Sequence, residues 1–396
     1  MDKSLLDIAL WAVLGIAIGA VLYYAFMAPQ SAPPTNPLQN ATNHTIIPPA
    51  NQTANQTQPP PVVPLPAVAM TTISAPGCPL CNSSGLDPAM LGQALPQFNA
   101  TLGAVSVVAS DSPEGIALIS KYNITTLPSA VLTPSAPLNT SFDTVWLQGA
   151  GTIETDGKYV YRNIAPPYYI VENKTIAGLV DGVAINATGC TGCVDASIYF
   201  SSLQSAGKIY FQNTTILQPE DPQAKQLISQ HNITKLPALF LSENIDVYPF
   251  FTNNVAKLGQ IENGWFVLRN VTPPYEDLID NKSVKGLVKA VYVVNNSCTD
   301  CLNISQLSDY LTGSGGVYVA NITVYDISSA DAKALVKKYN ISAIPTVLYS
   351  PEASVYSGFD GAWASINSTV APDGWFVFRS HSLLASAIYQ NVSSGG

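Results

Sequence analysis

A chain of 396 residues with a formal net charge of -9 carries only 11% charged residues, against about 25% in ordinary soluble domains, so its polarity comes from neutral Asn, Thr and Ser. With no Lys/Arg cluster to release phosphate counterions, nucleic acid is excluded as a partner. All six cysteines fall into three Cys-x-x-Cys pairs, which leaves no cysteine for a staple between distant segments.

Residues 5–27 are apolar apart from Asp7, and about 23 positions suffice to cross a hydrocarbon core of roughly 30 Å. Ala28 is followed by Pro29, a poor cleavage site, so the segment is expected to be an uncleaved signal anchor. Lys3 is the only Lys or Arg before Lys121. The positive-inside bias therefore predicts a cytoplasmic N-terminus and a single-pass membrane protein whose remaining residues lie outside. Gly15 and Gly19 form a GxxxG pair that could support helix-mediated dimerisation.

Residues 28–66 are rich in proline, carry no Asp, Glu, Lys or Arg, and hold glycosylation sequons at Asn40, Asn43, Asn51 and Asn55. Lacking apolar periodicity, they are predicted to form an extended, glycosylated stalk without a core. The whole chain holds 20 Asn-x-Ser/Thr sequons, among them Asn82, Asn123, Asn232, Asn340 and Asn391. Such density predicts an exported glycoprotein.

From there the sequence repeats. Cys78-Pro79-Leu80-Cys81 is followed by Leu127-Pro128, Cys190-Thr191-Gly192-Cys193 by Leu236-Pro237, and Cys298-Thr299-Asp300-Cys301 by Ile344-Pro345, with first-cysteine-to-proline offsets of 50, 47 and 47. A period near 110 residues marks a tandem array of whole domains, predicted at 67–177, 178–285 and 286–396. Boundaries fall after the "PPY" motifs ending at Tyr168 and Tyr275, which leave short connections to Gly178 and Gly286.

In the third repeat, Leu287–Val294 reads as a buried strand with the cysteines at the start of a helix that runs to about Leu311. A β-rich run (Gly316–Ile327) and a helix through Ala332, Leu335, Val336 and Tyr339 follow. Ile344-Pro345 opens a strand, Trp375–Arg379 is another, and Leu383, Leu384 and Ile388 suggest a closing helix. This order fits a mixed α/β sheet flanked by helices. About 25 residues separate the last two strands of each repeat. Their aromatics (Phe142, Trp146, Tyr248, Phe250, Phe251, Tyr356, Phe359, Trp363) belong either to an extended hairpin packed on its own domain or to a partner-binding lip. The recurring Arg162, Arg269 and Arg379 are expected to hold carboxylates or carbonyls at the domain edge.

Two cysteines on the first turn of a helix can close a small ring, and the helix N-terminus would favour a thiolate there. Zinc would need two pairs, or histidines, brought together; His44, His231 and His381 are the only histidines and the pairs lie on separate domains, so no metal site is expected. The X-Pro bond after each pair can be cis at little cost, leaving the preceding backbone free to hold a substrate strand.

On these residues the sequence resembles the thioredoxin superfamily, in three copies over residues 67–396. In tandem outside a membrane, the copies resemble protein disulfide isomerases and Dsb-type oxidoreductases. The resemblance implies that Cys78, Cys190 and Cys298 are nucleophiles and that Cys81, Cys193 and Cys301 are buried resolving thiols behind them. It also implies cis-prolines at Pro128, Pro237 and Pro345 and no cofactor. The family's Trp before the first cysteine is replaced by Gly77, Gly189 and Ser297, its buried acid by Thr72, Ala184 and Tyr292, and no pair contains His.

Two functions follow. One is an extracytoplasmic thiol-disulfide oxidoreductase or isomerase acting on the thiols and disulfides of exported proteins, with a membrane partner that passes electrons. The other is a cell-surface structural or interaction glycoprotein in which the pairs are permanent disulfides.

Overall fold

The computed structural model describes residues 64–81, 86–280, 283–313, 316–381 and 389–392. The expected signal anchor, residues 28–63 of the stalk, Asn82 and the closing helix at Leu383, Leu384 and Ile388 lie outside them. No helix among the described residues is long and apolar enough to cross a membrane. One compact unit ends at Ala177 and another begins at Gly178.

The first unit runs β1 (Ala67–Ser74), α1 (Pro88–Ala94), β2 (Thr101–Ala109), α2 (Pro113–Lys121), β3 (Thr126–Leu127), β4 (Ser129–Pro134), α3 (Thr140–Gly149), β5 (Gly151–Ile153), β6 (Tyr159–Tyr161), β7 (Tyr168–Ile170) and β8 (Thr175–Ala177). Its main sheet has the order β2-β1-β4-β6-β5, with β7 and β8 joined to β3 in a separate ladder. β1 runs parallel to β2 and antiparallel to β4, as a mixed sheet built around one crossover helix requires.

The second unit repeats this plan twice. Its first half comprises β9 (Leu179–Ile185), α4 (Ser197–Gly207), β10 (Tyr210–Leu217), α5 (Pro222–Gln230), β11 (Lys235–Leu236), β12 (Ala238–Ser242), β13 (Gly259–Glu262), β14 (Trp265–Leu268), β15 (Tyr275–Asp277) and β16 (Ser283–Lys285). The second half comprises β17 (Val288–Val294), α6 (Ile304–Gly313), β18 (Val319–Asp326), α7 (Ala330–Tyr339), β19 (Ala343–Ile344), β20 (Thr346–Tyr349), α8 (Phe359–Ser365), β21 (Thr369–Val370), β22 (Phe376–Val377) and β23 (Gln390–Asn391). The sheet orders, β10-β9-β12-β14-β13 and β18-β17-β20-β22-β21, match the first.

Each central strand is buried on both faces, so every sheet carries two apolar clusters. Val68 and Met70 face one cluster and Ile73 the other; Val180 and Ala184 oppose Val183 and Ile185; Ala290 and Tyr292 oppose Val293. This is why these strands read as near-continuous apolar runs instead of alternating ones.

The second helix of each repeat begins on a turn residue. Ser112 and Ser329 cap α2 and α7, accepting the N–H groups of Gly115 and Ala332 at 3.0 and 3.1 Å, while Pro222 opens α5. All three helices end before an asparagine in the left-handed region, Asn123, Asn232 and Asn340, with φ of 48°, 49° and 49°. Asparagine tolerates that conformation better than most residues. The recurring arginines then gather the helix-end carbonyls. Arg162 donates to Tyr122 and Asn123, Arg269 to His231, and Arg379 to Tyr339 and Asn340. Arg162 and Arg269 also pair with Glu154 and Glu262. The expected edge role of these arginines is what the structure shows.

The long insert is not a simple hairpin. Its first part coils into a helix (α3, α8) or, in the middle repeat, short 3-10 and π turns, and its last part adds the outer strand. Phe142 and Trp146 are buried, as are Tyr248, Phe251, Tyr356, Phe359 and Trp363, while Phe250 packs against the core from a half-buried position. Burying each large ring stabilises its domain by about 1.5–3 kcal/mol, so these aromatics are spent on the core and do not form an exposed lip.

Candidate thiol-disulfide site

Each cysteine pair lies where the first strand leaves the sheet. The pairs are closed as Cys78–Cys81, Cys190–Cys193 and Cys298–Cys301, with Cα separations of 5.2, 5.4 and 5.4 Å. Facing them across the sheet are the starts of β4, β12 and β20, since Ile73 pairs with Ser129, Ile185 with Ala238 and Val293 with Thr346. The Leu127-Pro128, Leu236-Pro237 and Ile344-Pro345 bonds immediately before those positions are all cis. Leu127, Leu236 and Ile344 point their side chains into the core. The structure thus gathers the predicted cysteines and X-Pro pairs at one end of each sheet.

Two expectations about the cysteines are overturned. First, among the described residues the pairs are not on the first turn of a helix: they occupy turns, and the next described helices begin at Pro88, Ser197 and Ile304. The helix N–H groups are instead taken by side chains. Asp87 accepts from Ala89, Asp195 from Ser197, and Asn303 from Ser305 and Gln306. A side chain that satisfies these groups leaves them no sulfur to stabilise, so the thiolate stabilisation expected of a helix end is not supplied directly. The physical reason is the polar pre-helix residue in each linker, which caps better than a cysteine can. Second, the second cysteines are not buried behind the first. Cys78 is 7% exposed while Cys81 is half-buried, and in the other repeats both cysteines are half-buried.

The turns are held by local polar contacts that differ between repeats. In the third, Asp326 accepts the N–H of Asn296 at 2.7 Å and Asn295 that of Ser297 at 2.9 Å. Hydrogen bonds from Ser328 and Asn296 hold the Asp326 carboxyl below the usual aspartate range. Asp300 is exposed on the turn. In the second, Asn186 accepts from Ala196 at 2.9 Å, and the buried Glu276 accepts the N–H of Gly189, next to Cys190, at 3.3 Å. Gly192 inside that pair has no room for a side chain: a Cβ would stand 2.6 Å from the Tyr318 ring and 3.0 Å from Leu287. His381 is buried in the third repeat and donates from Nε2 to the carbonyl of Pro345 at 2.7 Å.

Glu276 belongs to the segment that reads as a connection after "PPY", and here the sequence reading missed a structural element. The bonds Pro166-Pro167 and Pro273-Pro274 are also cis, and the chain beyond them folds back as the hairpins β7–β8 and β15–β16. Each hairpin pairs antiparallel with the residues just before the cis-proline, Leu127 opposite Tyr169 and Leu236 opposite Glu276. In the third repeat β23 does the same, with Ile344 opposite Gln390. The recurring Pro-Pro-Tyr itself, at 166–168 and 273–275, was the available signal.

No protein-family model matches the sequence, and no curated protein does. Among solved structures, the chain is similar to ERdj5 crystal form I at 12% identity, covering 75% of this chain and 39% of that one, with a TM-score of 0.15. Human ERp44 matches at 11% identity over 72% of this chain and 77% of its own, TM-score 0.13. The alkylhydroperoxide reductase AhpF of Enterococcus faecalis matches at 16% identity over 43% and 81%, TM-score 0.14. These neighbours have the thioredoxin fold. The chain spans only about two fifths of the ERdj5 structures, and likeness at these identities and scores adds nothing to the site's chemistry.

Proposed function

We propose that this chain is a thiol-disulfide exchange protein, tethered by residues 5–27 and a glycosylated stalk and facing the outside of a membrane, with exported thiols and disulfides as its partners. The observation that supports exchange is a small-ring disulfide at the same place in all three repeats, beside a cis X-Pro bond. Closing so short a loop limits the unfolded chain by only about 2 kcal/mol, less than half of what a 100-residue loop gives. Three such rings are a poor way to stabilise domains that already have two apolar clusters each. They are a sound way to keep two sulfurs within reach for exchange.

A second reading, in which the rings are permanent and the domains serve contact at a cell surface, is favoured by the capped helix ends and by the strand paired beside each cis-proline. Reduction potentials separate the two. Equilibration of the protein in graded glutathione and dithiothreitol buffers, with alkylation and mass analysis of each pair, is expected to give at least one potential above about -300 mV. All three pairs below that value would establish permanent disulfides and end the exchange reading.

A further inference from the structure

In each repeat, the backbone just before the cis-proline is the edge to which an extended polypeptide would add as a strand. That edge is already filled. Val171 donates to Thr125 at 2.9 Å, Leu278 to Thr234 at 2.8 Å and Val392 to Ser342 at 2.8 Å, in the same register each time. In two repeats a further strand, β8 or β16, backs the added one.

The added strand also reaches the cysteine turn. Glu276 accepts from Gly189, and Gln390 accepts from the Asn295 side chain at 2.7 Å. A polypeptide can dock beside a pair only by displacing a segment tied to the proline edge in every repeat and, in the second and third, to the cysteine turn as well. A small thiol has no strand to place and needs only an accessible sulfur.

We infer that the chain's own following strand acts as a resident occupant of each peptide edge, so that the three disulfides exchange with low-molecular-weight thiols and exclude polypeptide disulfides until that strand is released. This rests on the exchange reading above and narrows its substrate class. In the step, a small thiolate attacks one sulfur of the ring, the ring S–S bond breaks, and a mixed disulfide forms while the other cysteine leaves as a thiolate. A second small thiolate then attacks the mixed disulfide at the small-molecule sulfur. The product is a small disulfide, and the cysteine pair has gained two electrons and, from the two thiols, two protons.

The test uses the full chain in detergent, with glutathione as one probe and a disulfide-linked extended peptide, reduced beforehand to its dithiol, as the other. The reduction rate of each pair is read by alkylation and mass analysis. Glutathione is expected to reduce the pairs while the peptide dithiol is at least about tenfold slower, the factor set by one or two displaced backbone hydrogen bonds. Val392→Pro and Leu278→Pro each remove one of those bonds. They are expected to raise the peptide rate about tenfold at Cys298–Cys301 and Cys190–Cys193 respectively, with the glutathione rate unchanged. Equal rates for peptide and glutathione in the wild-type chain overturn the occupied-edge inference alone, whether or not the proline variants fold. No reduction by glutathione overturns the exchange reading and this inference with it.

Discussion

Glu276 reaches from the strand that closes the middle repeat to the backbone N–H of Gly189, one residue before Cys190. A side chain 2% exposed in this place ties the cis-proline edge to the cysteine turn. Glu276→Ala leaves the Gly189 N–H without this acceptor and is expected to cost about 1 kcal/mol, with Glu276→Gln recovering most of it. Urea unfolding followed by intrinsic fluorescence checks this. An alanine variant as stable as the parent would show that the contact contributes nothing.

In the third repeat a different contact of the cysteine turn is pH-dependent. The Asp326 carboxyl is held below its usual range, first by the Ser328 hydroxyl and then by the Asn296 N–H. A depressed carboxylate contributes stability that is present above the unfolded value of about 3.9 and is lost as pH falls through the lower folded value. Protection of the Asn296 amide from hydrogen exchange should therefore be constant at pH 5–7 and fall only below the ordinary aspartate range. Asp326→Ala, which removes the acceptor, should lose that protection at neutral pH; retention of full protection would remove Asp326 from the account.

Tyr318 and Leu287 lie against Gly192, between the cysteines of the middle pair. Tyr318→Ala uncovers that turn and is expected to speed reduction of Cys190–Cys193 by small thiols by a few-fold, on the order of what access alone contributes, with the other pairs unmoved. A uniform change at all three pairs would point to global loosening.

Asn340 sits in the left-handed region at φ 49° and within a sequon. Asn340→Gln should destabilise the third repeat by about 1 kcal/mol even in unglycosylated protein, because a longer side chain pays the steric cost without asparagine's local hydrogen bonding. Asn340→Gly removes the same sequon and should leave stability nearly unchanged. Melting curves of the two variants decide, and equal losses would assign the residue's role to its side chain.

The sheet strands and second helices were legible because they bury long apolar runs or close on recognisable caps, and the X-Pro pairs because of their recurrence. The helices α3 and α8 were also within reach. Phe142 and Trp146, like Phe359 and Trp363, stand four residues apart on one helical face, and Asn139 caps the first of them. The strands beside the cis-prolines were harder to read. β3, β11 and β19 are two residues long, too short for any alternation to register, and they pair with segments about 40 residues away. The misplaced helix start has a local cause: a cysteine pair followed by a polar cap reads the same whether the helix begins at the cysteines or after Asp195 or Asn303.

The hairpin β15–β16 has one more property, which concerns its place along the thread. After pairing with β11 it runs through Gly286 directly into β17, the central strand of the next sheet. Any pull transmitted between those two sheets passes through the hairpin, whose contact with β11 is only two residue pairs long, while β17 is gripped by seven pairs on one side and four on the other. Traction along the chain would therefore unfasten the strand from the cis-proline edge while both sheets still held, which makes tension a physical means of exposing that edge.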